Sequence, residues 1–477
     1  RQMCIRDRNI LSFSEMLIFP RPVSTGVCSL SPSIQVRNYK IISNFALALS
    51  GLPFLPAWLV NMRDCMIALA LLLATALPGR SQNKVDLTYG ADFQYYFDNR
   101  EYDGSGNRFE TSGTVHAARL TPSVGVMVAG GGMTHRLTLG LDVMKNMGES
   151  PVGEGDKDLR NAGLFREMTF WYGLDSRRGS RRFSLLAGIF PRHNSVFGSG
   201  FPAWSEDPVR TDFVPSLFIS DVNQFYDNNL EGVLLKYETR RGYCEAGLDW
   251  MGMIGHGRRE RFQIFTYGNF ALAGDFLRAG WTATMGHFAN TLEYRGVVDN
   301  ILVSPFVSLA AGRRNFRLDS KLSYIQGIHQ DRINGTGLEP SFGGLLTLNI
   351  GYRKFGVLND SYYGGGQMPY YGTIDAGGNI LGQQGLYFGS PFYRIHGDGE
   401  SWRHSGFYDR AEVYWQPYVA DFVRVRLSAV FHFTGDGYQG SQQRLSVVFD
   451  LGRALAGRKS AKASSPSRRQ RNFEIYL

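Results

Sequence analysis

The chain has 477 residues, of which 57 are Gly, 13% are aromatic, 43% hydrophobic and 19% charged. This is too apolar and too aromatic for a disordered chain, and four Cys are too few for a disulfide scaffold. The net charge of +9 sits at the ends. Residues 82–452 hold 36 Lys/Arg against 38 Asp/Glu, once eight bases and three acids of 1–81 and seven bases and one acid of 453–477 are set aside, so the body lacks the basic signature of a nucleic-acid binder.

The chain opens Arg1-Gln2-Met3-Cys4, and 1–61 reads as upstream DNA translated in frame. Gly51, Pro53 and Pro56 break the apolar run 41–60, which disfavours a spanning helix there. Met62 is the start we choose. A short n-region, Met62-Arg63-Asp64-Cys65, precedes the 12-residue apolar stretch 66–77. Gly79 and Ser81 then supply small residues before Gln82, with Ala74-Thr75-Ala76 as a competing site. This is a signal-peptide pattern, too short to span a bilayer, so 62–81 is expected to be cleaved and the chain exported. No break-free apolar run reaches the ~20 residues of a spanning helix, which excludes a polytopic helical membrane protein.

From 84 onward the chain alternates. Val85, Leu87, Tyr89, Ala91, Phe93, Tyr95 and Phe97 occupy every second position, with Asp86, Thr88, Gly90, Asp92, Gln94 and Tyr96 between them. Period 2 is a strand with two unlike faces. The pattern predicts strands at 84–97, 113–129, 133–145, 162–175, 181–192, 229–239, 242–252, 260–273, 275–288, 301–312, 315–327, 341–354, a thirteenth, 405–419, 422–434 and 441–452. The thirteenth is either 356–363 or 385–395. We prefer the first, which makes 364–404 an outer loop. Tight turns such as Gly130-Gly131-Gly132 and Arg240-Arg241-Gly242 alternate with long loops, at 98–112, 145–160, 193–228, 252–259, 289–300, 328–340, 396–404 and 435–443. Paired sandwiches or a propeller also alternate. Long strands, an export signal and short turns facing long loops point instead to an all-β, closed, antiparallel up-and-down transmembrane β-barrel of about 16 strands, at 82–452. The tail 453–477 reads as basic and disordered.

Catalytic signals are weak. The nine His form no HExxH, and there is no CxxC and no GxSxG, so no metal, cofactor or catalytic residue is expected. His396 and His404 with Asp398 and Glu400 read as solvated loop polarity. Glu412 and Asp409 beside Arg410 read as lumen charges rather than a catalytic pair. An enzyme is not expected, although a barrel hydrolase could assemble Ser and His from adjacent strands.

The polar faces supply pore-lining candidates: Arg136, Arg182, Arg278, Arg317, Asp319, Lys321, Arg410, Glu412, Arg424, Arg426 and His432. The bland account is mutual ion pairing along a wet wall, with a weak anion preference or none. The 36-residue loop 193–228 either folds into the pore or packs outside, and the sequence favours neither. As a constriction it would present Trp204, Glu206, Asp207, Arg210, Asp212, Asp221 and Asp227. A late aromatic loop offers Tyr370, Tyr371, Tyr387, Phe388 and Tyr393, which suit sugar stacking or, more simply, an interfacial girdle.

The Ser81-Gln82 junction, AGIFPR at 187–192, FYDNNLEGVLLKY at 225–237, YYGGGQMPYY at 362–371 and LYFGSPFYR at 386–394 carry a resemblance. Over roughly 82–452 the chain resembles porin-like outer-membrane β-barrel proteins of Bacteroidetes-type bacteria. AGIFPR, a long loop and an N-x-EG strand are also similar to phosphate-selective porins. The resemblance implies passive diffusion of small hydrophilic solutes, sugars or anions, across a Gram-negative outer membrane. It implies outer-membrane lipid, lipopolysaccharide and the barrel assembly machinery as partners, and admits a homotrimer. The alternatives are a non-conducting surface barrel that binds glycans or a partner through aromatic loops, and a barrel hydrolase. The Lys/Arg/Ser tail departs from the pattern, since such barrels usually end on a strand with a terminal aromatic.

Overall fold

The computed structural model describes residues 84–102, 112–147, 165–199, 214–256, 259–274, 276–290, 292, 296–313, 315–332, 337–367, 388–395, 404–420 and 422–450. The expected upstream segment 1–61, the signal peptide 62–81 and the tail 453–477 lie outside them.

Alternation of apolar and polar residues produces sixteen antiparallel strands, each pairing with its sequence neighbours. They are β1 (Lys84–Glu101), β2 (Gly113–Gly130), β3 (Met133–Asn146), β4 (Phe165–Arg178), β5 (Arg181–Pro191), β6 (Asn229–Glu238), β7 (Gly242–Gly252) and β8 (Arg261–Ala273). Then follow β9 (Leu277–Phe288), β10 (Val298–Arg313), β11 (Phe316–Asp331), β12 (Glu339–Tyr352), β13 (Phe355–Gly365), β14 (Ser405–Trp415), β15 (Val423–Thr434) and β16 (Gly437–Asp450). After Gln416-Pro417, β14 continues as Tyr418–Ala420, still against β15. Pro417 has no N–H to give the ladder, so the strand breaks there. β1 pairs with β16 from Asp92↔Asp450 to Glu101↔Ser441, which closes the barrel. The thirteenth strand is the earlier of the two alternatives.

Several boundaries differ from expectation, with β4 starting at Phe165, β10 at Val298 and β11 running on to Asp331, and two of the differences have a physical reason. β1 runs on through Asp98 and Arg100, which read as loop, because β16 lies alongside and places Asp98 opposite Arg444. The expected loop 435–443 is only a tight turn at Gly435-Asp436. A register shift at His432/Phe433 and positive φ at Gly437 (104°) and Gly440 (132°) let the strand start early.

The polarity of the wall is inverted relative to a soluble protein. On β12, Ser341, Thr347 and Asn349 are buried inside, while Phe342, Leu346, Ile350 and Tyr352 are exposed outside. Leu87, Tyr89, Leu141, Ile264, Val307, Leu322, Val413 and Leu427 extend the exposed apolar surface, on a scale that in a soluble monomer would mark an interaction site. Phe342 and Tyr352 are ten residues apart on β12. At ~3.3 Å per residue and a tilt of ~40° they stand about 25 Å apart in height, the thickness of an outer-membrane apolar band. Among the described residues no helix is long and apolar enough to cross a membrane.

Gly188, in the middle of β5, holds φ +122°, and a Cβ there would lie 2.2 Å from the Phe170 carbonyl oxygen. Gly188→Ala combines that clash with backbone strain. It is expected to destabilise the barrel by about 1–3 kcal/mol, read as a lower urea midpoint for unfolding from lipid vesicles.

Candidate functional site

The lumen is lined by charge over most of its wall and by apolar side chains over one sector. Leu230 and Leu234 of β6, Phe265 and Tyr267 of β8, Leu302 and Phe306 of β10, Ile325 of β11 and Leu345 of β12 face inward and are buried. An apolar patch inside a wet barrel must be covered or hydrated. Two connections cover it. From the β5–β6 connection, Phe197 in α1 (Val196–Ser199) and Val214, Leu217, Phe218 and Ile219 join one cluster with this wall. From the β13–β14 connection, Phe392, Tyr393 and Ile395 join the same cluster. Full burial of each such side chain contributes about 1.5–3 kcal/mol.

The two connections also bond to each other. The Ser220 N–H donates to the Phe388 carbonyl (2.7 Å), and the Ser390 N–H to the Ser216 carbonyl (2.7 Å). The sequence left open whether 193–228 folds inward. Its described parts do, with Phe197 and 214–219 against apolar side chains of β6–β12 and with Phe225 and Tyr226 against Tyr96, Val115, Ala117, Met144 and Val448. The stretch 388–395, expected within an outer loop, also lies inside. Phe392 stacks on His432 (4.3 Å) and Tyr408 (5.4 Å). Of the proposed sugar-stacking aromatics, Tyr393 is fully buried against Tyr362 and Tyr408, and Phe388 is 7% exposed against Phe288. This packing leaves neither ring a face for a sugar. Tyr370, Tyr371 and Tyr387 lie outside the described residues, as do Trp204, Glu206, Asp207, Arg210 and Asp212 of the constriction set.

Two charge clusters fasten the inward segments. The first centres on Glu412 of β14. Its carboxylate accepts Arg410 (2.9 Å), Arg426 (2.8 Å) and Arg444 (2.7 Å). Three guanidiniums around one carboxylate leave positive charge over. Asp221, the first residue of α2 (Asp221–Tyr226), meets it by pairing with Arg444 and with Arg410 (3.5 Å). Arg100 pairs with Asp98 (2.9 Å), both on β1, where Asp98 stands opposite Arg444. Asp409, weighed with Glu412 in the sequence, points outward instead, bonding Asn359 (3.0 Å) and Ser361.

The second cluster closes the base of the β5–β6 connection. Arg192 pairs with Asp227 (2.8 Å) and Asp249 (2.8 Å) and donates to the Asn229 carbonyl (3.0 Å). Nearby, Arg119 pairs with Asp142 (3.2 Å), donates to the Tyr226 carbonyl (3.1 Å) and lies 5.2 Å from the Phe225 ring centre. Phe225 packs on Tyr96 (4.8 Å). Ser195 donates to Glu245 of β7 (2.5 Å).

The remaining candidates all stand on inward faces but do not gather into one site. Arg182 bonds Asp175 (2.8 Å) near the short-turn mouth, and Arg278 bonds Asn269 (2.9 Å). The Lys321 ammonium lies 4.1 Å over the Phe306 ring. His432 bonds Tyr408 (2.9 Å) and Gln442 (3.2 Å). Arg317 and Asp319 lie along β11, and Arg424 near the start of β15. Arg136 faces Trp171 (5.9 Å) and lines a cavity of about 210 Å³ shared with Asp92, Thr138, Thr169, His193 and Asn229. The sequence reading missed Asp98, Arg100 and Arg119. Asp98 and Arg100 looked like loop, and no long-range partner of Arg119 is visible along the chain.

No family model matches the chain, and no curated protein matches it in sequence. Solved barrels are similar in structure. An anion-selective porin from Comamonas acidovorans is 12% identical, covering 77% of this chain and 100% of its own, with a TM-score of 0.41. The outer membrane protein OpdK from Pseudomonas aeruginosa is 9% identical, covering 76% and 98%, with a TM-score of 0.43. OprB of Pseudomonas putida is 9% identical, covering 76% and 94%, with a TM-score of 0.41. At these values the likeness carries nothing about solute or selectivity.

Asp221→Asn removes the anion that joins α2 to Arg444 and Arg410. The expected cost is about 1–3 kcal/mol of anchoring, with α2 more accessible to protease in the folded barrel. His193, beside Arg424 and Lys236, is held down at about 4 by desolvation first and by those two cations next. A base whose folded value lies below its unfolded value contributes stability that is full above about 6.5 and falls as pH drops towards about 4. Proteolytic sensitivity of 192–199 is therefore expected to rise through that window, and His193→Gln to flatten the response.

Proposed function

We propose that the protein is a porin-like channel of a Gram-negative outer membrane, exported by the signal peptide 62–81, through which small hydrophilic solutes diffuse passively. The observation that carries this reading is the inverted barrel, apolar outside and charged inside. A 16-strand wall is wide enough for an aqueous lumen unless something fills it. Here the described parts of two connections pack on several parts of the wall, against β6–β12, with Phe225 and Tyr226 against β1 and β2 and Phe392 against β14 and β15, and leave a cavity beside Arg136. Narrowing matters because wall charges act only within a Debye length of ~8 Å. Sugars and small anions both fit such a passage.

The wall is close to neutral, which supports a weak anion preference or none. In its short-turn half, Arg136, Arg182, Lys236, Arg278, Arg317 and Arg424 face Asp86, Asp175, Glu238, Glu245, Asp319 and Asp450. Most nearby pairs are mutually neutralised, which keeps the bias small, and pore-lining charge biases permeation by sign. Planar-bilayer recordings are expected to show a reversal potential at or slightly towards anion selectivity. A strongly cation-selective reversal would overturn the sign argument.

The apolar cluster running from wall to wall favours a second reading, a barrel closed at rest that binds a ligand at its outer loops. Deletion of 214–226 separates the two. A channel is expected to gain single-channel conductance while keeping heat-modifiable migration, and a barrel closed elsewhere stays silent. Liposome swelling with a graded series of sugars then sizes the passage.

A further inference from the structure

The short-turn end of the barrel carries a second pattern that permeation does not use. Arg178 and Arg181 flank the β4–β5 turn, Arg240 and Arg241 form the β6–β7 turn, and Arg353 and Lys354 form the β12–β13 turn. All six are exposed. Among the described residues of the turns at this end none is Asp or Glu, and the sequence adds Arg314 with Asp275 and Asp421. Asp175, at the same level, is held by Arg182 and Ser184.

Immediately above these bases the outer surface is aromatic. Phe183 and Tyr237 are register partners across β5 and β6, exposed by 41% and 37%. Phe316, Tyr352, Phe355 and Trp415 form a continuous row across β11 to β14, each paired with the next. The Arg353 guanidinium lies 5.5 Å from the Tyr352 ring centre, tying a base to the row. Phe342, Tyr363 and Phe407 stand exposed towards the other end of the same strands. The calculated height of about 25 Å between Phe342 and Tyr352 puts the two aromatic levels at the two edges of an apolar band. Bases one to four residues beyond these aromatic positions then stand at headgroup depth.

From this we infer that the short-turn rim is a binding surface for the phosphate headgroups of anionic glycerophospholipids. This rests on the membrane reading above but not on conduction. Guanidinium forks match phosphate oxygens bidentately, and an anionic leaflet attracts basic groups held within a Debye length of its surface. The aromatic row fixes the bases at a depth where lipid phosphates, rather than free ions, are concentrated.

The test uses the full-length folded protein in a neutral detergent, titrated with phosphatidylglycerol and with phosphatidylcholine and read by native mass spectrometry. Phosphatidylglycerol is expected to bind roughly tenfold or more tightly than phosphatidylcholine, with the preference shrinking as salt rises. Replacing Arg178, Arg181, Arg240 and Arg241 together by Ser is expected to remove most of it. Heat-modifiable migration checks that this variant is folded, and bilayer conductance checks the channel separately. If the variant fails to fold, the salt dependence of the intact protein decides. Equal affinity for the two lipids, a preference indifferent to salt, an unchanged preference in a folded variant, or full displacement by millimolar inorganic phosphate each overturn the proposal.

Discussion

The pairing of β1 with β16 is the constraint on which the rest depends. Ten register pairs, from Asp92↔Asp450 to Glu101↔Ser441, leave the sheet without an edge. In a hydrocarbon environment an open edge would expose unsatisfied backbone groups at several kcal/mol each. Closure also turns alternation into topology, since every second side chain becomes interior and the rest exterior. The apolar outside and the charged inside are then one pattern read on two surfaces.

Closure creates a new problem inside. A large barrel encloses more space than its own side chains fill, and one sector of this wall, from Leu230 to Leu345, carries apolar side chains among polar ones such as Glu245 and Lys321. Water against that sector is unfavourable, so chain from the long-loop end occupies it. The inserted segments must carry their own polar groups with them. Arg192 meets this need at the base of the β5–β6 connection, and Glu412 with its three arginines meets it through Asp221 on α2. Breaking one member of such a cluster costs more than the cluster contributes, because a buried charge is left without a counter-ion. The clusters therefore set where the loops lie more than they set overall stability.

The two ends of the barrel are chemically different. The long-loop end sends Phe197, Phe218 and Phe392 into the lumen. At the short-turn end the described turns are compact and rich in arginine beneath an aromatic row. One end shapes what lies inside the barrel, and the other faces the surrounding interface.

The sequence by itself determined the number of strands and which face of each turns inward, leaving the place of the thirteenth between two alternatives, because a period of two needs no distant partner to be seen. Val85 to Phe97, or Phe342 to Tyr352, declare inside and outside through neighbouring residues alone. It also made Arg410, Glu412 and Arg426 legible as interior charges. Only the tertiary structure decided what those charges do. Asp98 became strand because Arg444, over three hundred residues away, stands opposite it. Asp221 is drawn to Arg444 and Arg410 because barrel closure brings late strands within reach of a segment from the early half, and Tyr393 is buried against Tyr362 because its connection folds back into the lumen. Alternation is a local property of the chain, whereas the filling of a lumen depends on which side chains face each other across it.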